Sequence, residues 1–133
     1  MVLVDTNVIL DVSGNDPVWG EWSARQIEHW GTRGPLAINP LIYAELSIDY
    51  ASSADLDDDL NNWGFIKLDL PYAAAFLAGQ AFLRYRHGHG AKRSPRPDFY
   101  IGAHARVEGL RLLTRDVGRY MAYFPGIKLI APG

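Results

Sequence analysis

The sequence predicts an α/β fold: a parallel sheet of about five short strands with helices on both faces. Three observations predict it. Apolar runs of three or four residues recur along the whole chain, stretches with helical patterning separate them, and the first run, Val2-Leu3-Val4, is apolar throughout. An unbroken apolar strand is buried on both faces, and strands alternating with helices join in parallel through right-handed crossovers.

The elements follow in order along the chain. The first strand, residues 2–4, delivers Asp5, Thr6 and Asn7 into a bend, and residues 7–12 make a short helical turn. Asp16-Pro17 is a good N-cap and N1 pair, so a helix is expected from there to about residue 33, closed by Gly34-Pro35. Its Trp19, Trp22, Ile27 and Trp30 fall largely on one side and read as packing rather than as a ligand-stacking face. Residues 36–38 make a second strand. Asn39-Pro40 repeats the cap pattern for a helix over about 40–51, which holds Glu45 among Leu41, Ile42, Ala44, Leu46 and Ile48. Ser53 with Asp55, Asp57, Asp58 and Asp59 opens a helix ending at Gly64, with Leu56, Leu60 and Trp63 on its inner side. Those acids lack the EF-hand spacing and loop glycine and read as a solvated face.

Residues 65–68 form the third strand. Leu70-Pro71 starts an alanine-rich helix from 72 to about 86, which His87-Gly88-His89-Gly90 breaks. Two histidines separated by one loop glycine fix no metal geometry. After the basic, proline-bearing residues 91–97, Asp98 stands at a helix start. That helix, 99–108, turns Ile101, Ala105 and Val107 inward and closes at Gly109, the usual C′ glycine. Residues 110–113 make the fourth strand and deliver Thr114, Arg115 and Asp116. A short helical segment through Tyr120 leads to Phe124-Pro125-Gly126 and a fifth strand over 127–130.

One domain over residues 1–133 accounts for this length, and 48% hydrophobic content is enough for a core. There is no cysteine, which removes disulfides, thiolate metal sites and thiol catalysis together. The opening lacks the regions of a signal peptide, and no run approaches the roughly 20 apolar residues that span a bilayer; a soluble, cytoplasmic protein with no membrane partner is expected.

The net charge of −2 conceals an asymmetry. Between Leu70 and Pro97 stand Arg84, Arg86, Lys92, Arg93 and Arg96, two histidines and no acid, while the remainder carries 8 basic and 15 acidic residues, a balance of −7. A basic patch beside an acidic pocket is a way to hold phosphates next to metal ions. These five residues, with Arg115, are the candidates for nucleic-acid contact, although Arg84 and Arg86 equally suit the negative end of a helix dipole.

In a sheet of this kind the loops after the strands share one edge. Asp5 follows the first strand, Glu45 lies in the helix after the second, Asp98 heads the helix before the fourth and Asp116 follows the fourth, so all four can meet at one rim. Carboxylates gathered without cationic partners repel, and such a cluster is stable mainly when divalent cations neutralise it. Oxygen-only ligands favour Mg²⁺ or Mn²⁺ over zinc. Metal ions so held suit phosphodiester cleavage, because they acidify a water and stabilise charge on the attacking and leaving oxygens. Thr6, Asn7 and Thr114 then read as groups that orient the carboxylates or waters.

The opening Val2-Leu3-Val4-Asp5-Thr6-Asn7-Val8-Ile9-Leu10-Asp11, Glu45 in its apolar helix, Asp98 followed by Ile101-Gly102-Ala103-His104-Ala105, and Leu112-Leu113-Thr114-Arg115-Asp116 together resemble the PIN-domain ribonucleases, in particular the VapC-like toxins of bacterial type II toxin–antitoxin systems. The resemblance spans nearly the whole chain. It implies a Mg²⁺- or Mn²⁺-dependent endoribonuclease with Asp5, Glu45, Asp98 and Asp116 as metal-binding acids, acting on RNA such as tRNA or rRNA loops. It further implies a homodimer held silent by a cognate antitoxin.

Two departures stand out. Relatives often read Ile-Ala-Ala where this chain has Ile101-Gly102-Ala103; glycine costs about 1 kcal/mol of helix propensity against alanine, which points to close packing at Gly102. Some relatives also carry a further acid two or three residues beyond Asp116, where this chain has Gly118 and Arg119. One tight ion plus a weaker one completed by substrate phosphate is therefore expected. Among rival readings, a phosphotransferase of the haloacid dehalogenase type needs a second aspartate where Asn7 stands, and a phosphate-cradling Gly-rich loop is absent. A housekeeping PIN nuclease and a silent PIN scaffold serving as a binding module remain as alternatives.

Overall fold

The computed structural model describes residues 1–89 and 95–133, with the backbone alone for residues 86–89. Strands β1 (Val2–Val4), β2 (Leu36–Ile38), β3 (Phe65–Lys67), β4 (Arg111–Leu113) and β5 (Lys128–Ile130) form one sheet in the order β3-β2-β1-β4-β5, with every neighbouring pair parallel. The helices among the described residues are α1 (Thr6–Ser13), α2 (Gly20–Gly31), α3 (Pro40–Ser47), α4 (Ser53–Asn62), α5 (Tyr72–His89), α6 (Pro97–Glu108) and α7 (Val117–Tyr123). None of them is long and apolar enough to cross a membrane.

All three residues of β1 and of β2 are buried, as are Leu112 and Leu113 of β4, whereas the edge strands β3 and β5 are partly exposed. This is the burial expected of a parallel sheet covered on both faces. The chain builds outward from β1 to β3, then returns to lay β4 against the other side of β1. The reversal creates a crevice between the carboxyl ends of β1 and β4, where open α/β sheets hold ligands.

Several boundaries differ from the sequence expectation. Asp16 caps a turn rather than the helix: its Oδ1 accepts the N–H groups of Val18 and Trp19 at 2.9 and 2.8 Å, and α2 begins only at Gly20. Helix α3 stops at Ser47, short of residue 51, and Ser52, in extended geometry, caps α4 by accepting Asp55 N–H at 3.2 Å. Helix α5 continues through His89, past the expected break; a single glycine costs about 1 kcal/mol and does not by itself end a helix. Helix α6 begins at Pro97, with Arg96 extended as the residue before a proline must be. Val107 is exposed rather than inward, since two residues past buried Ala105 lies about 200° around the helix. Trp63 falls outside α4, at its C-cap, and is exposed as well.

Helices α5, α6 and α7 are locked by an aromatic cluster. Phe99 stacks on Tyr123 with centroids 4.5 Å apart and meets Phe82 and Tyr85 edge-on at 5.8 and 5.7 Å. The start of α6 is thereby fixed over the sheet, and Asp98 with it. Across from it, α3 and α6 are joined by a buried polar pair. Asn39 Oδ1 accepts the N–H groups of Leu41 and Ile42, both at 3.0 Å, which leaves Nδ2 to donate to His104 Nδ1 at 3.1 Å. His104 is therefore a neutral acceptor at Nδ1, and burial holds its pKa below the ordinary 6.5.

The sign of the pH effect follows. As pH falls through 6.5 the unfolded chain takes a proton at this position before the folded chain does, so stability is lost on acidification. As pH falls below 6.5 the melting temperature of the wild type should drop relative to that of His104→Gln, which lacks this contribution. Parallel thermal melts of the two proteins across this window measure the difference; identical slopes would assign the effect elsewhere.

Candidate metal centre

Asp5 is the residue that β1 delivers to the crevice. Its backbone N–H donates to Leu113 O at 2.9 Å, so the ladder with β4 runs one residue beyond the strand. It is also the N-cap of α1, with extended φ/ψ of −66° and 151° and Oδ1 accepting Thr6 N–H at 2.8 Å. Oδ2 accepts the hydroxyls of Thr114 at 2.8 Å and Tyr120 at 3.0 Å, and Asn7 Nδ2 lies 3.4 Å away. Asp5 is only 6% exposed. Burial raises its pKa above the usual value; the bonds from Thr114, Tyr120 and Thr6 oppose the rise, and the charge of Glu45 adds to it. Burial and the neighbouring Asp5 push the Tyr120 hydroxyl well above its ordinary pKa, which keeps it a donor.

Thr114, the first residue after β4, joins two acids. Its Oγ1 gives a hydrogen to Asp5 and accepts the Asp116 N–H at 3.0 Å and Asn7 Nδ2 at 3.4 Å. Asn7 Oδ1 in turn accepts Arg115 N–H at 3.2 Å. The start of α1 and the loop after β4 thus form one hydrogen-bonded unit. Thr6 extends it by donating to Glu45 Oε1 at 2.7 Å. The three residues singled out as orienting groups therefore each contact a candidate acid or its loop.

Asp98 lies in the first turn of α6, where the helix dipole favours negative charge. Its side chain is 13% exposed, and its buried Oδ2 has no hydrogen-bond partner. Asp116 is the N-cap of α7, yet its carboxylate makes no capping bond and is 40% exposed. All four acids line one cleft of about 340 Å³, together with Thr6, Asn7, Arg96, Arg119 and Tyr120.

The donor set suits a hard divalent cation: it is all oxygen, it includes an unpartnered buried carboxylate oxygen, and its central acid is disfavoured as an unneutralised charge. Among the described residues no three acids yet converge on a single ligating point.

The basic candidates are scattered. Arg96 lines the cleft with a buried, unpartnered Nε, and Arg84 is exposed on α5. The side chains of Arg86, Lys92 and Arg93 lie outside the described residues. Arg115 is turned to an internal partner instead: Nε and Nη2 donate to the two oxygens of Asp11 at 2.6 and 2.8 Å, and Ser23 Oγ adds a bond to Asp11 at 2.7 Å. That pair, with Tyr120, belongs to the support of the cleft and was not assigned from sequence. Tyr120 lies four residues after Asp116 on a helical segment, a spacing that puts both on one face.

A model of the PIN domain family matches residues 2–121. The chain belongs to the PIN domain family. No curated protein matches its sequence. Among solved structures it is similar to VapBC2 of Rickettsia felis bound to a promoter DNA fragment, with 18% identity, a TM-score of 0.73 and full coverage of both chains. A toxin–antitoxin complex of Klebsiella pneumoniae gives 22% identity and a TM-score of 0.67 over 100% of this chain and 98% of the other. VapC20 of Mycobacterium tuberculosis, a sarcin–ricin loop cleaving toxin, gives 16% identity and a TM-score of 0.63 over 99% and 100%.

Within this PIN domain the glycine of α6 has a packing reason, as its place in the sequence suggested. A Cβ at Gly102 would stand 2.5 Å from Phe124 Cδ2 and 3.1 Å from Tyr120 Cδ1. Phe124 and Tyr120 are both buried and have nowhere to retreat, so Gly102 is what lets α7 approach closely enough for Tyr120 to reach Asp5. Gly102→Ala should cost about 1–2 kcal/mol, overpacking outweighing the gain in helix propensity. Urea unfolding checks this; an unchanged or higher midpoint would mean that the Phe124 ring yields freely.

Proposed function

We propose that this PIN domain is a Mg²⁺- or Mn²⁺-dependent endoribonuclease and the toxin of a toxin–antitoxin pair, working in the cytoplasm as a homodimer. The observation that carries the proposal is the convergence of Asp5, Glu45, Asp98 and Asp116 on one cleft at the crevice between β1 and β4. In this reading those four acids hold the ion. When bound, it supplies Lewis-acid polarisation of a phosphoryl oxygen and lowers the pKa of water.

The chain's own residues do the positioning. Thr114 and Tyr120 hold Oδ2 of Asp5 and Thr6 N–H holds Oδ1, which fixes the carboxylate in one orientation and leaves Oδ1 with acceptor capacity to spare. Thr6 orients Glu45 by occupying one of its oxygens. Arg96 and Arg119 offer positive charge to the phosphate backbone at the cleft wall. A cleft open at the sheet edge admits unpaired nucleotides more readily than a duplex, which favours looped RNA such as tRNA or rRNA loops as substrate. The similar structures support the same reading: the Klebsiella pneumoniae structure is a toxin–antitoxin complex, and VapC20 is a sarcin–ricin loop cleaving toxin.

Asp98→Asn keeps size and shape while removing an acid that no hydrogen bond of the fold depends on. It should reduce Mn²⁺-dependent RNA cleavage at least about 100-fold with a melting temperature no lower than that of the wild type. Equal cleavage by wild type and variant in EDTA would mean a contaminating nuclease and sink the assignment. Induction of the wild-type gene in a bacterium without the antitoxin should arrest growth, and the Asp98→Asn gene should not. Normal growth with the wild type would remove the toxin role and leave the nuclease.

A further inference from the structure

The cleft carries its own cation. Asp98 and Asp116 stand on different helices, and Arg119 lies between them, Nη1 3.7 Å from Asp98 Oδ2 and Nε 3.8 Å from Asp116 Oδ2. Both separations are too long for hydrogen bonds, and Asp98 Oδ2 remains without such a partner. The guanidinium thus balances the two charges without occupying either carboxylate. Its place is set by α7: three residues beyond Asp116 is one helical turn, which brings the two side chains to the same face.

The charge count around the cleft points the same way. Four carboxylates face Arg96 and Arg119, which leaves two negative charges, the amount that one divalent cation neutralises. We infer that Arg119 stands in for a second metal ion, so that this cleft takes one divalent cation and not two. The inference rests on the metal-dependent reading above and goes beyond it by fixing the number of ions and naming the residue that fixes it.

Arginine suits the role. Its planar guanidinium presents paired N–H donors to phosphate oxygens. Arg119 is 47% exposed at the cleft, so the group that now spans Asp98 and Asp116 is accessible to a substrate phosphate. A second ion would have to displace it and would then leave a guanidinium beside a doubly charged cation.

The test is a Mn²⁺ titration by calorimetry, with free Mn²⁺ read by electron paramagnetic resonance, on wild type, Arg119→Ala, Arg119→Lys and Arg119→Asp. Wild type should bind one ion per chain, and Arg119→Lys should do the same because the charge is kept. Arg119→Ala should bind its ion about tenfold more tightly, since a half-exposed like charge has been removed, and Arg119→Asp should gain a second ion. Metal-free melts supply a readout independent of binding: Arg119→Ala should melt lower than wild type and recover on adding Mn²⁺. Two ions per wild-type chain, or Arg119→Ala identical to wild type in stoichiometry and affinity, overturns the inference while leaving the nuclease assignment intact. Failure of every protein, wild type included, to bind Mn²⁺ would overturn the metal-dependent reading itself and this inference with it.

Discussion

Taking the Asp5 carboxylate out of water costs free energy that the apolar residues around it cannot return, and the surrounding polar structure is the response to that cost. Asp5 follows a strand with no exposed face, and its side chain meets solvent only through the cleft it lines, where 6% of the residue stays exposed. Three donors from three places in the chain compensate: a backbone N–H from α1, a hydroxyl after β4 and a phenol from α7. The compensation is incomplete, because burial still outweighs the hydrogen bonds and the carboxyl pKa stays raised. A residual bias of this kind is relieved by a cation, and so the same burial that strains the fold prepares the acid as a ligand.

The rest of the architecture serves to bring those donors within reach. The return of the chain from β3 to β4 puts Thr114 beside Asp5, a contact no local sequence pattern can make. Gly102 lets α7 lie close against α6, and the stack of Phe99 on Tyr123 holds the two helices in that relation. Asp98, next to Phe99, is carried to the cleft by apolar packing, with no hydrogen bond to its buried Oδ2.

What could be read from the sequence divides along the same line. The strands were legible because each is a short, largely apolar run bounded by turn residues, and Asp5 and Asp116 could be placed because each follows a strand end, whose position in an α/β sheet is known; Glu45 and Asp98 lie within helices, and only the order of the elements suggested that they share the rim. The start of α2 was misjudged because Asp16-Pro17 satisfies the rules for a helix cap while its carboxylate caps a turn. The inward settings of Val107 and Trp63 failed because periodicity was carried past the point where helix rotation or helix end had changed the face. Tyr120 and the Asp11–Arg115 pair were missed for a different reason. Their partners lie more than 100 residues away in the chain, and only the strand order brings them together.

Arg115 and Arg119 lie four residues apart and meet their acids under opposite conditions. Arg115 makes close paired bonds to an Asp11 side chain that is 4% exposed, while Arg119 stands half in solvent at separations near 4 Å from its acids. Mobile counterions penetrate poorly to a buried pair but readily dress an exposed one, over a screening length of about 8 Å at physiological ionic strength. Dissolved salt therefore reaches this cleft through Arg119, loosening its hold on Asp98 and Asp116, while the Arg115 clamp beneath keeps the loop after β4 in place.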